Sequence, residues 1–301
     1  MDKPRIGWIG TGVMGQSMAG HLLDAGYELS VFNRTAAKAQ GLVDRGAHLC
    51  SSPREVGSRS DVVFSIVGYP SDVEAVLIGE NGAVSGMAQG GIICDMTTSS
   101  PTLAQTIAAV AAEKGIMAMD APVTGGDVGA RKATLSIFVG GAEEGYTQIL
   151  PMLQVMGQKI MHCGAAGLGQ QAKLANQAAV AGVMFSVCES LLYAAKAGLD
   201  VRKWHELVSC GAAGSVAMQT LGQRMMDGDF EPGFFIDHFV KDLGLVLEEC
   251  RRMHLVLPGC ALADQFYRSM QGRDLGKKGT QALIQALAEF SGTVWTAVPR
   301  A

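Results

Sequence analysis

A chain of 301 residues, 48% hydrophobic and only 17% charged, is long enough for two domains with a sizeable core, which excludes the disordered class. The formal net charge of −4, with no basic run, leaves no electrostatic footprint for nucleic acid or anionic lipid, so a small anionic ligand would need a local pocket. The seven cysteines are odd in number, widely spaced and without Cys-x-x-Cys or Cys/His ligand spacing, so buried thiols in a reducing compartment are expected and no metal site.

The first residues are followed by too short an apolar run for the core of a signal peptide. The longest nearly uncharged run, between Lys173 and Glu189, falls short of the roughly 20 residues of a spanning helix. A cytoplasmic protein with a buried helix, and no membrane partner, is therefore expected.

Ile6-Gly7-Trp8-Ile9 reads as a short buried strand, and Gly10-Thr11-Gly12-Val13-Met14-Gly15 follows it directly. Helical periodicity then runs from Gln16 to Ala25 and stops at Gly26. Strand, glycine turn and helix in this order give G-x-G-x-x-G a mechanism. Gly10 makes the tight turn, Gly12 lets backbone approach a pyrophosphate, and Gly15 lets helix and strand pack closely. The helix amino terminus then offers free N–H groups and a favourable dipole to the phosphates. A second strand, Glu28–Phe32, ends in Asn33-Arg34-Thr35, where a carboxylate would bind the ribose hydroxyls of NAD. Arg34 instead offers a 2′-phosphate a planar, charged, multi-donor partner, with Asn33 and Thr35 as neutral donors, so NADP(H) is preferred over NAD(H).

Further strands are predicted at Asp61–Val67, ending in Gly68-Tyr69-Pro70, and at Ile92–Asp95, ending in Met96-Thr97-Thr98-Ser99-Ser100-Pro101. Both loops leave the carboxyl ends of strands, the edge of a parallel sheet where ligands bind, so Val67, Gly68 and Tyr69 are read as facing the cofactor. Thr98 is read either as a neighbour of the nicotinamide ribose or as a cap of the next helix. Met117–Asp120 runs into Ala121-Pro122-Val123-Thr124-Gly125-Gly126, where one hydroxyl and two unhindered N–H groups suit a carboxylate. Leu135–Val139 and Lys159–Cys163 supply the last strands, with a helix around Tyr146 to Val155 between them.

After Cys163 strand signals cease, and the shift in pattern marks a boundary near Gly164, giving domains 1–164 and 165–301. Glycines at 164, 167 and 169 open a long apolar helix to Lys196. On it Lys173 and Asn176, three apart, share a face. A lysine at the mouth of such a helix is the candidate for chemistry. Helical segments follow around 201–210, 216–226, 234–253, 258–271 and 279–290. Within them Lys241-Asp242 reads as an ion pair at least as readily as a catalytic group, and His238 has no partner at ligand spacing.

Four stretches in this order resemble the β-hydroxyacid dehydrogenase family, which contains 3-hydroxyisobutyrate dehydrogenase and tartronate semialdehyde reductase. They are Gly10-x-Gly12-x-x-Gly15 with Met14, Asp120-Ala121-Pro122-Val123-Thr124-Gly125-Gly126, Gly164-x-x-Gly167-x-Gly169-x-x-x-Lys173-x-x-Asn176, and Lys241-Asp242-Leu243. The resemblance covers essentially the whole chain. It implies an α/β Rossmann domain followed by an all-α domain, joined by a long interdomain helix, with the helical domain commonly making a homodimer or homotetramer. It implies that Lys173 is the general acid/base and that Thr124, Gly125 and Gly126 hold the substrate carboxylate. Asn176 would help orient the substrate, Lys241 would lie beside nicotinamide and substrate, Thr98 beside the cofactor ribose, and Phe235 among the pocket residues. Thr124 departs from the family's usual serine, keeping the hydroxyl but adding a methyl that would narrow the pocket. The expected reaction is hydride transfer between NADP(H) and a small hydroxy acid or semialdehyde, of the 3-hydroxyisobutyrate, tartronate semialdehyde, glyoxylate or succinic semialdehyde class. Two competing readings are an imine reductase of the same fold, whose members usually lack this lysine, and a non-catalytic NADP(H)-binding sensor.

Overall fold

The apolar runs of the amino-terminal part become one sheet of nine strands: β1 (Ile6–Ile9), β2 (Leu29–Phe32), β3 (His48–Leu49), β4 (Val62–Ser65), β5 (Ile92–Asp95), β6 (Met117–Asp120), β7 (Val123–Thr124), β8 (Leu135–Gly140) and β9 (Gly157–Gly164). The computed structural model describes residues 3–299. Their order is β3-β2-β1-β4-β5-β6-β8-β7, with β9 on β8. Pairings from β3 through β6 are parallel, whereas β8 runs antiparallel to β6 and β7 and parallel to β9.

A parallel sheet is covered on both faces, so its strands are apolar at successive residues rather than at every second one. Alternate side chains supply two separate cores. Ile6, Trp8, Val62, Phe64, Ile92 and Cys94 enter one, and Ile9, Val63 and Ile93 enter the other. Trp8 stacks on Phe64 with ring centroids 5.8 Å apart.

The register decides where chemistry can gather. Ile9 pairs with Phe32 on one side and Ser65 on the other, Ser65 with Asp95, and Asp95 with Asp120. The last residues of five parallel strands thus form one row at the carboxyl edge. The strand order reverses at β1, the switch point where an open α/β sheet has its crevice.

The chain divides into two compact units that meet at Leu174 and Ala175, within the long helix Leu168–Lys196. The first turns of this helix are hydrogen-bonded into the sheet, which is why they belong to the first unit. The second unit continues with helices Val201–Ser209, Gln223–Met226, Ile236–Met253, Pro258–Gln271 and Leu283–Phe290. Its core includes Phe239 against Tyr267 at 4.9 Å, and the Tyr267 hydroxyl donates to the Thr280 carbonyl at 3.0 Å.

Three expectations are corrected. The helix after the glycine turn starts at Val13, three residues before Gln16, because the glycine loop is itself the first turn. The long helix is not a buried one: only 33% of its most apolar stretch is covered, and Tyr193 is 76% exposed, since a helix apolar all round presents apolar residues outward as well as inward. Its length and composition would suffice to span a bilayer, but its start is bonded into the sheet. Of the cysteines, Cys210 is exposed and Cys163 half-buried, while the other five are buried.

Candidate active site

The glycine loop separates two kinds of constraint. At Gly10, with φ +98°, a Cβ would lie 2.1 Å from the Ile66 carbonyl oxygen, and at Gly15 it would lie 2.0 Å from that of Gly10. Both positions are closed by the protein's own backbone. A Cβ on Gly12 would meet nothing within 4 Å. Only an approaching ligand would give glycine a reason there. Gly12 begins the helix Val13–Asp24 without a side-chain cap, and the buried Thr11 hydroxyl has no hydrogen-bond partner among the described residues. Open backbone, uncapped N–H groups and an orphaned hydroxyl together fit a dinucleotide pyrophosphate. Val13 is exposed at this amino end, and Met14 packs against the core.

At the end of β2 the three polar residues separate in role. Asn33 accepts the Thr11 N–H on its Oδ1 at 2.9 Å and donates from Nδ2 to the Thr35 carbonyl at 2.9 Å. Both ends of its amide are engaged with backbone, so it ties the glycine loop to β2. Arg34 is 90% exposed, with Asp72 3.5 Å from its guanidinium. Asp72 also accepts the Tyr69 N–H at 3.2 Å, at the start of helix Pro70–Leu77. The loop carrying Val67 and Gly68 is held from below, since the Val67 N–H donates to the Thr97 hydroxyl at 2.9 Å. Thr98 is half-buried; the cap of the next helix, Pro101–Ala112, is Ser100, which accepts the Leu103 N–H.

Farther along the edge, Asp95 and Asp120 are buried on adjacent strands. Burial raises both carboxyls to about 6, against hydrogen bonds that favour the anion: from Thr97 and Ser65 to Asp95, and from Gly167 and Gln170 to Asp120. Thr124 closes β7, and Gly125 (φ +129°) and Gly126 (φ +64°) turn the chain into helix Gly126–Arg131 in a conformation only glycine adopts readily. Among the described residues no side chain caps that helix, and a Cβ on Gly126 would meet nothing within 4 Å. Open space thus lies beside Gly126, whereas a Cβ on Gly125 would meet the Leu135 side chain at 3.2 Å.

Lys173 is in the second turn of the long helix and only 7% exposed. Just before it, Gln170 accepts the Ser99 N–H on Oε1 at 2.8 Å and donates from Nε2 to the Thr97 carbonyl at 2.8 Å. Asp120 and Gln170 had no assigned role in the sequence reading. A polar residue at the otherwise apolar start of the helix was the available signal for Gln170, but its partners lie some seventy residues away.

In the second unit, Asn176 donates to the Gln177 Oε1 at 2.8 Å, Gln177 donates to Asp242 Oδ2 at 2.6 Å, and Lys241 lies 2.9 Å from Asp242 Oδ1. Asp242 is 1% exposed, so its charge requires these partners. The pair read from sequence is formed, and Gln177 extends it to the long helix. Phe235 precedes helix Ile236–Met253 and meets the half-buried His238 edge-on at 5.6 Å. Burial, then the Lys241 charge, push the His238 imidazole below its ordinary value. His48, Cys50 and Glu55 of the first unit also bring one donor atom each within 4.8 Å of one another. Burial lifts the Cys50 thiol to about 11 and Ser51 already binds Glu55 twice, so this cluster offers no ready thiolate.

With this geometry in hand, similarity to known proteins decides the family. A family described as the NAD binding domain of 6-phosphogluconate dehydrogenase matches residues 5–164, and one described as NAD-binding of NADP-dependent 3-hydroxyisobutyrate dehydrogenase matches residues 167–287. The chain belongs to the β-hydroxyacid dehydrogenase family. This dehydrogenase is 54% identical over 291 residues to a probable 3-hydroxyisobutyrate dehydrogenase-like protein 1, mitochondrial, of Arabidopsis thaliana, covering 96% of the chain and 87% of that relative. It is 37% identical over 283 residues to the 2-hydroxy-3-oxopropionate reductase of Escherichia coli strain K12, covering 94% and 97%. A solved Mycobacterium tuberculosis 3-hydroxyisobutyrate dehydrogenase with L-serine superposes with a TM-score of 0.86 at 28% identity, covering 95% of this chain and 99% of that one. The β-hydroxyacid dehydrogenase described here is accordingly an NAD(P)-dependent oxidoreductase with a Rossmann-like domain followed by a helical one.

Proposed function

We propose that this dehydrogenase interconverts a small semialdehyde carboxylate and its hydroxy acid, using NADP(H) in preference to NAD(H), with Lys173 as general acid/base. The observation that carries the reading is Lys173 itself, an almost fully buried lysine on a helix anchored at the sheet's ligand-binding edge. Burying a lysine is costly, so a helix that keeps one there marks a candidate for a chemical task. When bound, the nicotinamide supplies or accepts the hydride. In reduction, the Lys173 ammonium gives its proton to the oxygen that becomes the hydroxyl. In oxidation, neutral Lys173 removes it. Thr124 and the N–H groups of Gly125 and Gly126 hold the substrate carboxylate, and Asn176, Lys241 and Phe235 are the further residues this reading assigns to substrate binding. Arg34 holds the 2′-phosphate at the end of β2, where Asn33-Arg34-Thr35 offers no carboxylate to repel it.

The test is NADPH consumption with glyoxylate, succinic semialdehyde, tartronate semialdehyde and a cyclic imine, for the wild type and Lys173→Ala. Turnover of at least one acid, and a loss of kcat of roughly 10²–10⁴-fold in the variant with NADPH binding retained, is expected for a missing proton donor. Full activity of Lys173→Ala, or turnover of the imine alone, would overturn the reading.

A further inference from the structure

Asp120 ends β6 with its carboxylate 2% exposed. Its Oδ1 accepts the Gly167 N–H at 2.7 Å, its Oδ2 accepts the Gln170 N–H at 2.7 Å, and the Gly169 N–H also points to it. Converging N–H donors on two oxygens can all be met only by a carboxylate, because an asparagine would turn a donor of its own toward one of them. Two glycines from different segments make room for it. A Cβ at Gly140 would sit 2.5 Å from Asp120 Oδ1, and one at Gly169 would sit 2.8 Å from Oδ2 and 2.4 Å from the Asp120 carbonyl. The carboxylate also stands at the positive end of the long helix's dipole. Gln170 bonds the same turn to the loop after β5 through Ser99 and Thr97. Lys173 follows one turn later, about 4.5 Å farther along a rigid helix.

We propose that Asp120 and Gln170 are the positioning residues of Lys173: together they clamp the first turn of the long helix to the end of β6 and to the loop after β5, and so set where the lysine's amino group stands. The proposal rests on the reading of Lys173 as the proton donor. Displacement of a catalytic group by about 1 Å is enough to cost roughly 10²-fold in rate, so the anchor needs to be stiff rather than merely stable.

The experiment compares Asp120→Asn, Gln170→Ala and Lys173→Ala in the full-length enzyme. It measures kcat with NADPH and whichever semialdehyde acid is turned over, NADPH affinity by nucleotide fluorescence, and amide hydrogen exchange peptide by peptide. In Asp120→Asn, kcat should fall at least tenfold while NADPH affinity stays within about twofold and exchange rises only in peptides spanning 164–173. Gln170→Ala should show the same signature more weakly, and it carries the test if Asp120→Asn does not fold. Unchanged kcat in both variants, or a loss of kcat accompanied by faster exchange across the whole sheet, would overturn the proposal. Lys173→Ala should leave exchange over 164–173 as in the wild type. If Lys173→Ala keeps full activity the lysine reading fails, and the exchange data still report whether Asp120 and Gln170 hold the helix.

Discussion

Arg34 and Asn33 are neighbours in sequence and opposites in structure. Asn33 is held at both ends of its amide by backbone groups, whereas Arg34 reaches into solvent with Asp72 3.5 Å away. An exposed ion pair of this kind contributes about 0–1 kcal/mol, so removing Arg34 should barely change stability. A charge-assisted contact to a phosphate is worth about 1.5–3 kcal/mol. Arg34→Ala should therefore raise the KM for NADPH roughly tenfold or more and leave that for NADH within about twofold, read from parallel initial-rate series. Equal weakening of both cofactors would remove the 2′-phosphate role. That Arg34 stands at the end of β2 could be read from the spacing after the glycine motif. That Asn33 ties the glycine loop to β2 could not, because its partner Thr11, 22 residues away, is brought to it by the register of β1 with β2.

The turn between β1 and its helix separates packing from binding within one element. Gly15→Ala would place a methyl 2.0 Å from a backbone carbonyl, so the helix must move and the fold should lose about 1–3 kcal/mol, seen as a lower thermal midpoint. Gly12→Ala meets open space, so the midpoint should stay near that of the wild type while NADPH affinity drops, because the methyl occupies the path of the pyrophosphate. A Gly12→Ala protein that binds NADPH normally would contradict the phosphate role. Periodicity located this strand, turn and helix with little error. It missed β3 and β7, each two residues long, because so short a strand has no period to detect and exists only through its neighbour. The antiparallel insertion of β8 between β6 and β9 was likewise beyond any local pattern, being a choice of partner.

Across the molecule, titration opposes stability from two directions. Asp61, Asp229 and Asp237 are held below the ordinary carboxylate range, chiefly by hydrogen bonds from Arg5, Arg224 and Lys277, so the stability they add is present at neutral pH and lost as pH falls. Asp95 is raised by burial to about 6, so its contribution is complete below the unfolded value near 4 and is lost as pH rises through about 6. Urea midpoints measured from pH 4 to pH 8 should thus decline between about pH 4 and pH 6 from this group, and Asp95→Asn, which cannot ionise, should flatten that decline. A variant whose midpoints track the wild type throughout would show that Asp95 does not titrate in the window. The sequence by itself determined the order of α/β and helical parts, the glycine turn, the lysine and the family, because each is carried by local pattern or by motifs with fixed spacing. Only the tertiary structure decided that Asp120 and Gln170 grip the start of the long helix, that Gln177 links Asn176 to Asp242, and that Asn33 serves the fold. Each rests on a contact between residues far apart in the chain, chosen by strand order and register in the first unit and by which helices meet in the second.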